Sequence, residues 1–334
     1  MRVLAIDIGG TKSALALCEL KDGIVASVSG LKSFVSREFN DLSDMVHRWQ
    51  TEHPELHYQA IGAGVAGPVV NQTVTLTNLG WSIQASKIGG QFAVPCKICN
   101  DMESHGWGVL GLTTREIRTL NQGQPSPGPK ALIAAGTGLG EAIIAWDGFQ
   151  YTPMPGEGGH ASFSATNDLE DALSHFLRQR TGGHVSWERI LGGLDGFRNL
   201  AIFMLGRGYH AKPLWMNNLG HGNLDWGPAL IDAALSGEPL ASDTLAFYCE
   251  LYGKEAANLA LKCLTRGGVY IGGGIAPRIT PWMERHFMRG FTDKGRFSGL
   301  LASIPVHIID DPLNGLKGAA LQFTRHSRGP NIDR

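Results

Sequence analysis

The sequence has almost no net charge. Its 334 residues include 29 Lys and Arg against 30 Asp and Glu, a formal charge of -1. A chain so balanced offers no broad basic face for nucleic acid and no wide acidic face for basic partners. Any anionic ligand has to be held by a local device. Cysteine is scarce and odd in number: Cys18, Cys96, Cys99, Cys249 and Cys263. That scattered set makes no disulfide framework. Cys96 and Cys99 have the spacing of a metal or redox pair, but no second pair follows, which leaves a zinc site short of ligands. The string Val94-Pro95-Cys96-Lys97-Ile98-Cys99 reads instead as a short buried strand entered after a proline. Long apolar runs are missing too. None approaches the roughly 20 residues that span a bilayer, and Met1-Arg2-Val3 leads into a strand-like segment without the anatomy of a secretory signal. The expectation is a cytoplasmic protein with neither a membrane nor a nucleic-acid partner. Two phosphate signatures are also absent. There is no G-x-x-x-x-G-K-S/T, and no G-x-G-x-x-G opens a helix after a strand.

Glycine is what the chain has in plenty, 45 residues gathered in clusters, which points to specific tight turns. The length exceeds most single cores and suits two domains. Val3 to Ile6, Ser13 to Cys18 and Ile24 to Val28 are short apolar segments joined by turns, the pattern of an antiparallel meander. Leu42, Met45, Val46 and Trp49 recur at helical spacing behind Asp41, a capping residue. Strands ending near Val65 and Asn100 follow, so the first hundred residues form an α/β layer. Asn121 to Pro129 has the composition of a linker. Beyond it, Ala131 to Ala135, a Gly turn and Glu141 to Trp146 repeat the strand–turn–strand theme of the N-terminus. Leu169, Ala172, Leu173 and Phe176 share a helix face, Ala241 to Leu264 reads as a long helix, and Pro277 suits a helix start. A strand from Val306 to Ile309 and a helix after Asn314 come last. The tail Arg325 to Arg334 is expected to be disordered.

Three glycine turns each follow a short strand. In Asp7-Ile8-Gly9-Gly10-Thr11 the backbone can approach phosphate oxygens, the Thr11 hydroxyl can donate to them, and the Asp7 carboxylate can hold Mg²⁺ directly or through water. Gly136-Thr137-Gly138 offers a second such turn. Gly272-Gly273-Gly274 offers a flat backbone surface for a purine. A single turn of this kind is equally an ordinary tight turn; three in the same setting favour a nucleotide.

These turns resemble the two phosphate motifs and the adenosine motif of the superfamily of ATPases that includes hexokinase, actin and the heat-shock chaperones. Within it the chain resembles the bacterial glucokinase family. Thr77-Asn78-x-x-Trp81, Asn100-Asp101, Pro155-Gly156-Glu157-Gly158-Gly159-His160, His184-Val185-Ser186-x-Glu188-Arg189 and Asp293-Lys294-Gly295-Arg296-Phe297 stand in that family's order and span nearly the whole chain. The resemblance implies an α/β protein of two ribonuclease-H-like (actin-like ATPase) domains with a cleft between them. Residues 1–110, completed by a C-terminal helix at about 312–326, form the small domain, and 111–311 the large one. It further implies a homodimer that uses ATP and Mg²⁺ to phosphorylate D-glucose at the 6-hydroxyl. Two departures stand out. Ala161-Ser162-Phe163-Ser164 follows His160 where the repressor/open-reading-frame/kinase branch has a cysteine-rich zinc motif. Met102-Glu103-Ser104-His105 follows Asp101, with Ser104 in place of a small apolar residue, which leaves the packing of that helix open.

The chemistry follows. Phosphoryl transfer to an alcohol needs a proton acceptor, and Asp101, where a strand ends and a helix begins, is the candidate general base. A helix N-cap is the competing role. By the resemblance, Asn78, Asn100, Asp101, Glu157, His160 and Glu188 bind the sugar, using carboxylates, amides and an imidazole that exchange hydrogen bonds with hydroxyls. ATP falls to Asp7, Gly9, Gly10, Thr11, Gly136, Thr137, Gly138, Gly272, Gly273 and Gly274. Glu188 also suits a capping role near a helix start, and Lys12 a solvated turn. Other readings remain: a kinase for mannose, fructose or an N-acetylhexosamine, a non-catalytic sugar sensor, and an actin- or chaperone-like ATPase.

Overall fold

The computed structural model describes residues 1–193, 195–218 and 226–324. The final ten residues, and with them the expectation of a disordered tail and the last two positions of the C-terminal helix, lie outside that set. The chain divides into two compact units, one of residues 1–117, 142–155 and 311–334, the other of residues 118–141 and 156–310.

The first unit is built on the expected meander. β1 (Arg2–Ile8) pairs antiparallel with β2 (Lys12–Lys21), which pairs antiparallel with β3 (Ile24–Val35). On its other side β1 runs parallel to β4 (Ala60–Val65), and β4 parallel to β7 (Cys96–Asn100), giving the order β3-β2-β1-β4-β7. Between β4 and β7 the chain makes a hairpin of β5 (Thr73–Leu76) and β6 (Trp81–Gln84). Successive side chains of a strand point to opposite faces. Leu4, Ile6 and Ile8 accordingly pack with Leu42, Met45, Val46 and Trp49 of the helix Leu42–Glu52, while Val3 and Ala5 pack with Leu316, Ala319 and Ala320 of the helix Asn314–Leu321. Asp41 caps the first of these helices, its Oδ1 accepting from the amide of Asp44 at 2.9 Å.

Glycines let the helices come close to β4. A Cβ on Gly62 would collide with the carbonyl of Ala319, and one on Gly64 would come within 2.7 Å of Ser104 Oγ. Ser104 settles the packing its sequence position left open. It is buried in the helix Asp101–Leu110 and donates to the carbonyl of Gly315 at 2.8 Å, so a hydroxyl does there what a small apolar side chain cannot.

A second sheet has the order β11-β10-β9-β12-β13-β8, made of β8 (Ile117–Asn121), β9 (Lys130–Ala135), β10 (Leu139–Trp146), β11 (Tyr151–Gly156), β12 (Val269–Gly272) and β13 (Val306–Ile309). β12 lies between β9 and β13, parallel to both. The long helix runs Pro239–Cys263, starting two residues before the apolar pattern because Glu238 accepts from the amides of Leu240 and Ala241 and proline occupies the first turn. In the helix Asp168–Thr181 the buried positions are Glu170, Leu173 and Leu177; of the expected face of Leu169, Ala172, Leu173 and Phe176, Leu173 is buried and the other three are half-buried. The reason is an ion pair: Lys254 Nζ lies 2.6 Å from Glu170 Oε1 and 3.1 Å from Asp293 Oδ2, drawing Glu170 inward. Pro277 opens a short 3₁₀ turn, Ala276–Ile279. Asn121 to Pro129 is anchored within the second unit, where Asn121 Nδ2 donates to the carbonyls of Ala302 and Ile304. Among the described residues no helix is long and apolar enough to cross a membrane.

Candidate active site

In the first unit the strand–turn–strand of β1 and β2 sets the first glycine turn. Gly9 donates its amide to the carbonyl of Lys12 at 3.1 Å, and a Cβ on Gly9 would come within 2.7 Å of that oxygen. The turn is thus closed by Gly9. Asn78 stands over it, its Nδ2 3.4 Å from where a Cβ of Gly10 would be. Gly9, Gly10, Gly67, Pro68, Thr77 and Asn78 line part of one cavity of about 250 Å³.

β7 delivers Asn100 and Asp101 to the same unit. Asn100, not Asp101, is the N-cap: its Oδ1 accepts from the amides of Met102 (2.9 Å) and Glu103 (3.4 Å), and its Nδ2 donates to the carbonyl of Gly67 at 3.1 Å. The Asn100 side chain also bonds the neighbouring Asp101 carboxylate. Asp101 is the first helical residue. One of its oxygens accepts from the amide of Met102 at 2.9 Å, and the group is only half-buried. Burial raises the Asp101 carboxyl above its ordinary value, while the Met102 amide and His105 pull it back. Burial likewise raises Asp7 at the end of β1, with His105 lowering and Asp101 raising it. Asp7, Asp101 and His105 therefore act on one another. His105 carries no role in the sequence reading. Its place four residues after Asp101 on one helix face was the available signal. It is fixed by Asn314, whose Nδ2 lies 3.2 Å from its Nδ1.

The second unit brings together Gly136, Thr137 and Gly274. With Phe197, Ile231 and Ile275 they line part of a cavity of about 230 Å³ that also meets Arg278, the one cation among its described lining residues. Gly273 takes φ +84°, and a Cβ there would collide with the carbonyl of Ala135, so only glycine fits. Gly272 ends β12, and neither it nor Gly273 lines that cavity.

Glu157, His160 and Glu188 also meet in this unit. His160 Nε2 is 3.7 Å from Glu157 Oε2, and its Nδ1 is 3.8 Å from Glu188 Oε1. These gaps are too long for direct hydrogen bonds, yet neighbouring hydroxyls of one ligand can reach all three groups. The Glu188 carboxylate has no capping task. It heads a short helix, Glu188–Leu191, whose N-cap Trp187 makes no side-chain cap, and its Oε2 accepts from the amide of Leu139 at 3.1 Å. Leu139 directly follows the second glycine turn, so a candidate sugar ligand is braced on a candidate phosphate loop. Gly138 makes room: a Cβ there would collide with Glu188 Oε2.

Cys96 and Cys99 are free thiols on β7. Burial pushes the Cys96 thiol up to about 12 and raises Cys99 further. Among the described residues no three His, Cys, Asp or Glu side chains could together hold a metal ion.

Residues 4–326 match a family profile described as Glucokinase. The chain is 38% identical over 343 residues to a glucokinase of Nostoc sp. (strain PCC 7120), an alignment covering 97% of this chain and 99% of that one. Among solved structures it is similar to the glucokinase of an Antarctic psychrotroph, with a TM-score of 0.84 at 28% identity, covering 96% of this chain and 98% of that one. A ROK family glucokinase from Streptomyces griseus, solved with glucose and AMPPNP, shares the fold at 21% identity and a TM-score of 0.64, covering 96% of this chain and 98% of that one. These neighbours place the α/β fold in the two-domain, actin-like ATPase class.

Proposed function

The chain belongs to the glucokinase family, and we propose that it transfers the γ-phosphate of ATP to the 6-hydroxyl of D-glucose. The observation that carries the reading is the placement of Asp101: Asn100 takes over the helix cap, and the base candidate stands half-buried at the helix start beside Asp7.

In this reading Asp101 accepts the proton of the attacking hydroxyl as the new P–O bond forms. Asn78, Asn100, Glu157, His160 and Glu188 hold the sugar's hydroxyls. A site built on such bonds rejects analogues that leave its groups unpaired, which favours one hexose over its epimers. Gly10, Thr11, Thr137 and Gly138 present amides to the phosphates, Gly9 and Gly136 close their turns, and the slot beside Gly274 and Ile275 takes the base, with Gly272 and Gly273 shaping its approach. Asp7 suits a Mg²⁺ ion that arrives with ATP. Its half-buried carboxyl faces a second carboxyl and gains from a cation, and Mg²⁺ bound to nucleotide needs only one or two protein carboxylates. Bound there, the ion would neutralise phosphate charge. The cytoplasmic location, the homodimer and the division into a small domain (1–110 with 312–326) and a large one (111–311) belong to the same proposal.

The test is ADP release with Mg-ATP across glucose, mannose, fructose, N-acetylglucosamine and no sugar, repeated with Asp101→Ala. A glucose-dependent rate that falls about 10²- to 10⁴-fold in the variant, with glucose binding retained, is expected. A sugar-independent rate, or near wild-type turnover in Asp101→Ala, would contradict the reading.

A further inference from the structure

Two carboxyl groups in the second unit have no task in the proposed chemistry. Glu141 on β10 is 2% exposed, and Glu255 in the helix Pro239–Cys263 is 0% exposed. Glu255 Oε2 accepts from Asn258 Nδ2 at 2.8 Å, and Asn258 is held in turn by Lys294 Nζ at 2.7 Å. Oε1 of Glu141 and Oε1 of Glu255 have no donor among the described residues. The two carboxyls lie within hydrogen-bonding reach of each other. Two carboxylates have only acceptors to offer, so they bond only when a proton sits between them. Left as two charges away from water, the pair is strongly disfavoured.

The other oxygen of Glu141 supports a loop. Oε2 lies directly beneath Gly158, where a Cβ would collide with it, and Glu141's own Cβ is 3.3 Å from that position. Gly159 is pressed against the carbonyl of Leu139 in the same way. The turn Gly158–His160, with Glu157 just before it, thus rests on the Glu141 carboxyl and on the backbone at the start of β10.

We propose that Glu141 and Glu255 are positioning residues, one proton shared between their carboxyls fixing Glu141 beneath Gly158 and so directing Glu157 and His160 at the sugar. This rests on the reading of Glu157 and His160 as sugar ligands. When the shared O–H bond breaks, the proton goes to solvent. Two buried carboxylates then repel, and Glu141 shifts against the loop. The charged and titratable groups facing the pair are Lys262 and Tyr252 from the same helix as Glu255, together with Lys294. Lys262 favours the ionised forms, but burial outweighs it and pushes the Glu255 carboxyl up to about 8. A raised carboxyl keeps its proton below that value and loses it as pH rises through it, so the loop loosens on the alkaline side.

The experiment follows glucose-dependent ADP release from about pH 6.5 to about pH 9.5 for the wild-type chain, Glu255→Gln and Glu141→Gln, a range whose upper half lies beyond ordinary carboxyl and imidazole titration. Infrared difference spectra of the wild type and the double Gln variant accompany it. The wild-type KM for glucose is expected to rise by up to about tenfold per pH unit above the transition, with kcat and the KM for ATP nearly constant. Glu255→Gln, whose amide donates to Glu141 without a proton to lose, is expected to show a flat KM. A protonated carboxyl band should be present at neutral pH, fade across the same window, and be missing in the double variant. A flat wild-type KM, an undiminished pH response in Glu255→Gln, or no protonated band at neutral pH would overturn the proposal. Absence of glucose turnover at every pH would instead remove the kinase reading, and the infrared band would still decide the shared proton.

Discussion

Replacing Gly138 by Ala tests whether the second glycine turn, a candidate phosphate loop, also aims a sugar ligand. Gly138 is not among the glycines at positive φ, so alanine meets no backbone strain there. The added Cβ collides with Glu188 Oε2 and reaches within 3.2 Å of its Cδ. Those atoms end a flexible side chain, which can swing away at little cost to folding. Swinging away breaks the bond from the Leu139 amide, 3.1 Å in the native chain, and moves Oε1 from its place 3.8 Å from His160. A hydrogen bond to a charged group contributes about 1.5–3 kcal/mol. If Glu188 must be held there to meet the sugar, glucose binding weakens by roughly 10- to 150-fold. The assay is steady-state ADP release with glucose varied at saturating ATP, beside the converse titration. A large rise in the KM for glucose, a smaller one for ATP, and a melting temperature within a few degrees of wild type are expected. A KM for glucose that stays put while that for ATP rises would show that the turn serves the nucleotide alone, and the bracing argument would fall.

Two further predictions rest on charge. Burial raises both Asp101 and Asp7, and each raises or is raised by its neighbour. A base with a raised value takes its proton back at higher pH, so kcat should fall on acidification at a pH above the ordinary carboxylate value of about 4; a kcat profile whose acid limb lies at or below that value would contradict it. Lys254→Met should cost about 3 kcal/mol in chemical denaturation, because it leaves Glu170, 1% exposed, without its cation. The low end applies because Thr166 and Asn167 also donate to Glu170; a loss below about 1 kcal/mol would show the ion pair to be dispensable.

Much of the first unit was legible because its elements obey local rules. The β1–β2–β3 meander follows from alternation and short glycine turns, and the Asp41 cap from its own side chain. The dipeptide Asn100-Asp101 was legible as a site but not as a division of labour, since either residue can cap a helix and only the fold decides which does. Glu141 and Glu255 were out of reach. A Glu in an alternating strand, or in a helix buried nearly all round, looks like any surface carboxylate until distant segments close over it. Glu170 misled the helical pattern for the same reason: its partner Lys254 stands 84 positions away.

The helix Asn314–Leu321 has a consequence for how the protein is made. Its apolar side covers Val3, Ala5, Ala16 and Ala60, residues that leave the ribosome long before the helix does. Ser104 waits 211 positions for the carbonyl it bonds. The first unit begins before the second and is finished after it. During translation its nascent sheet must carry an open apolar face, and the cell must keep that face from sticking to anything else until the helix Asn314–Leu321 arrives to seal it.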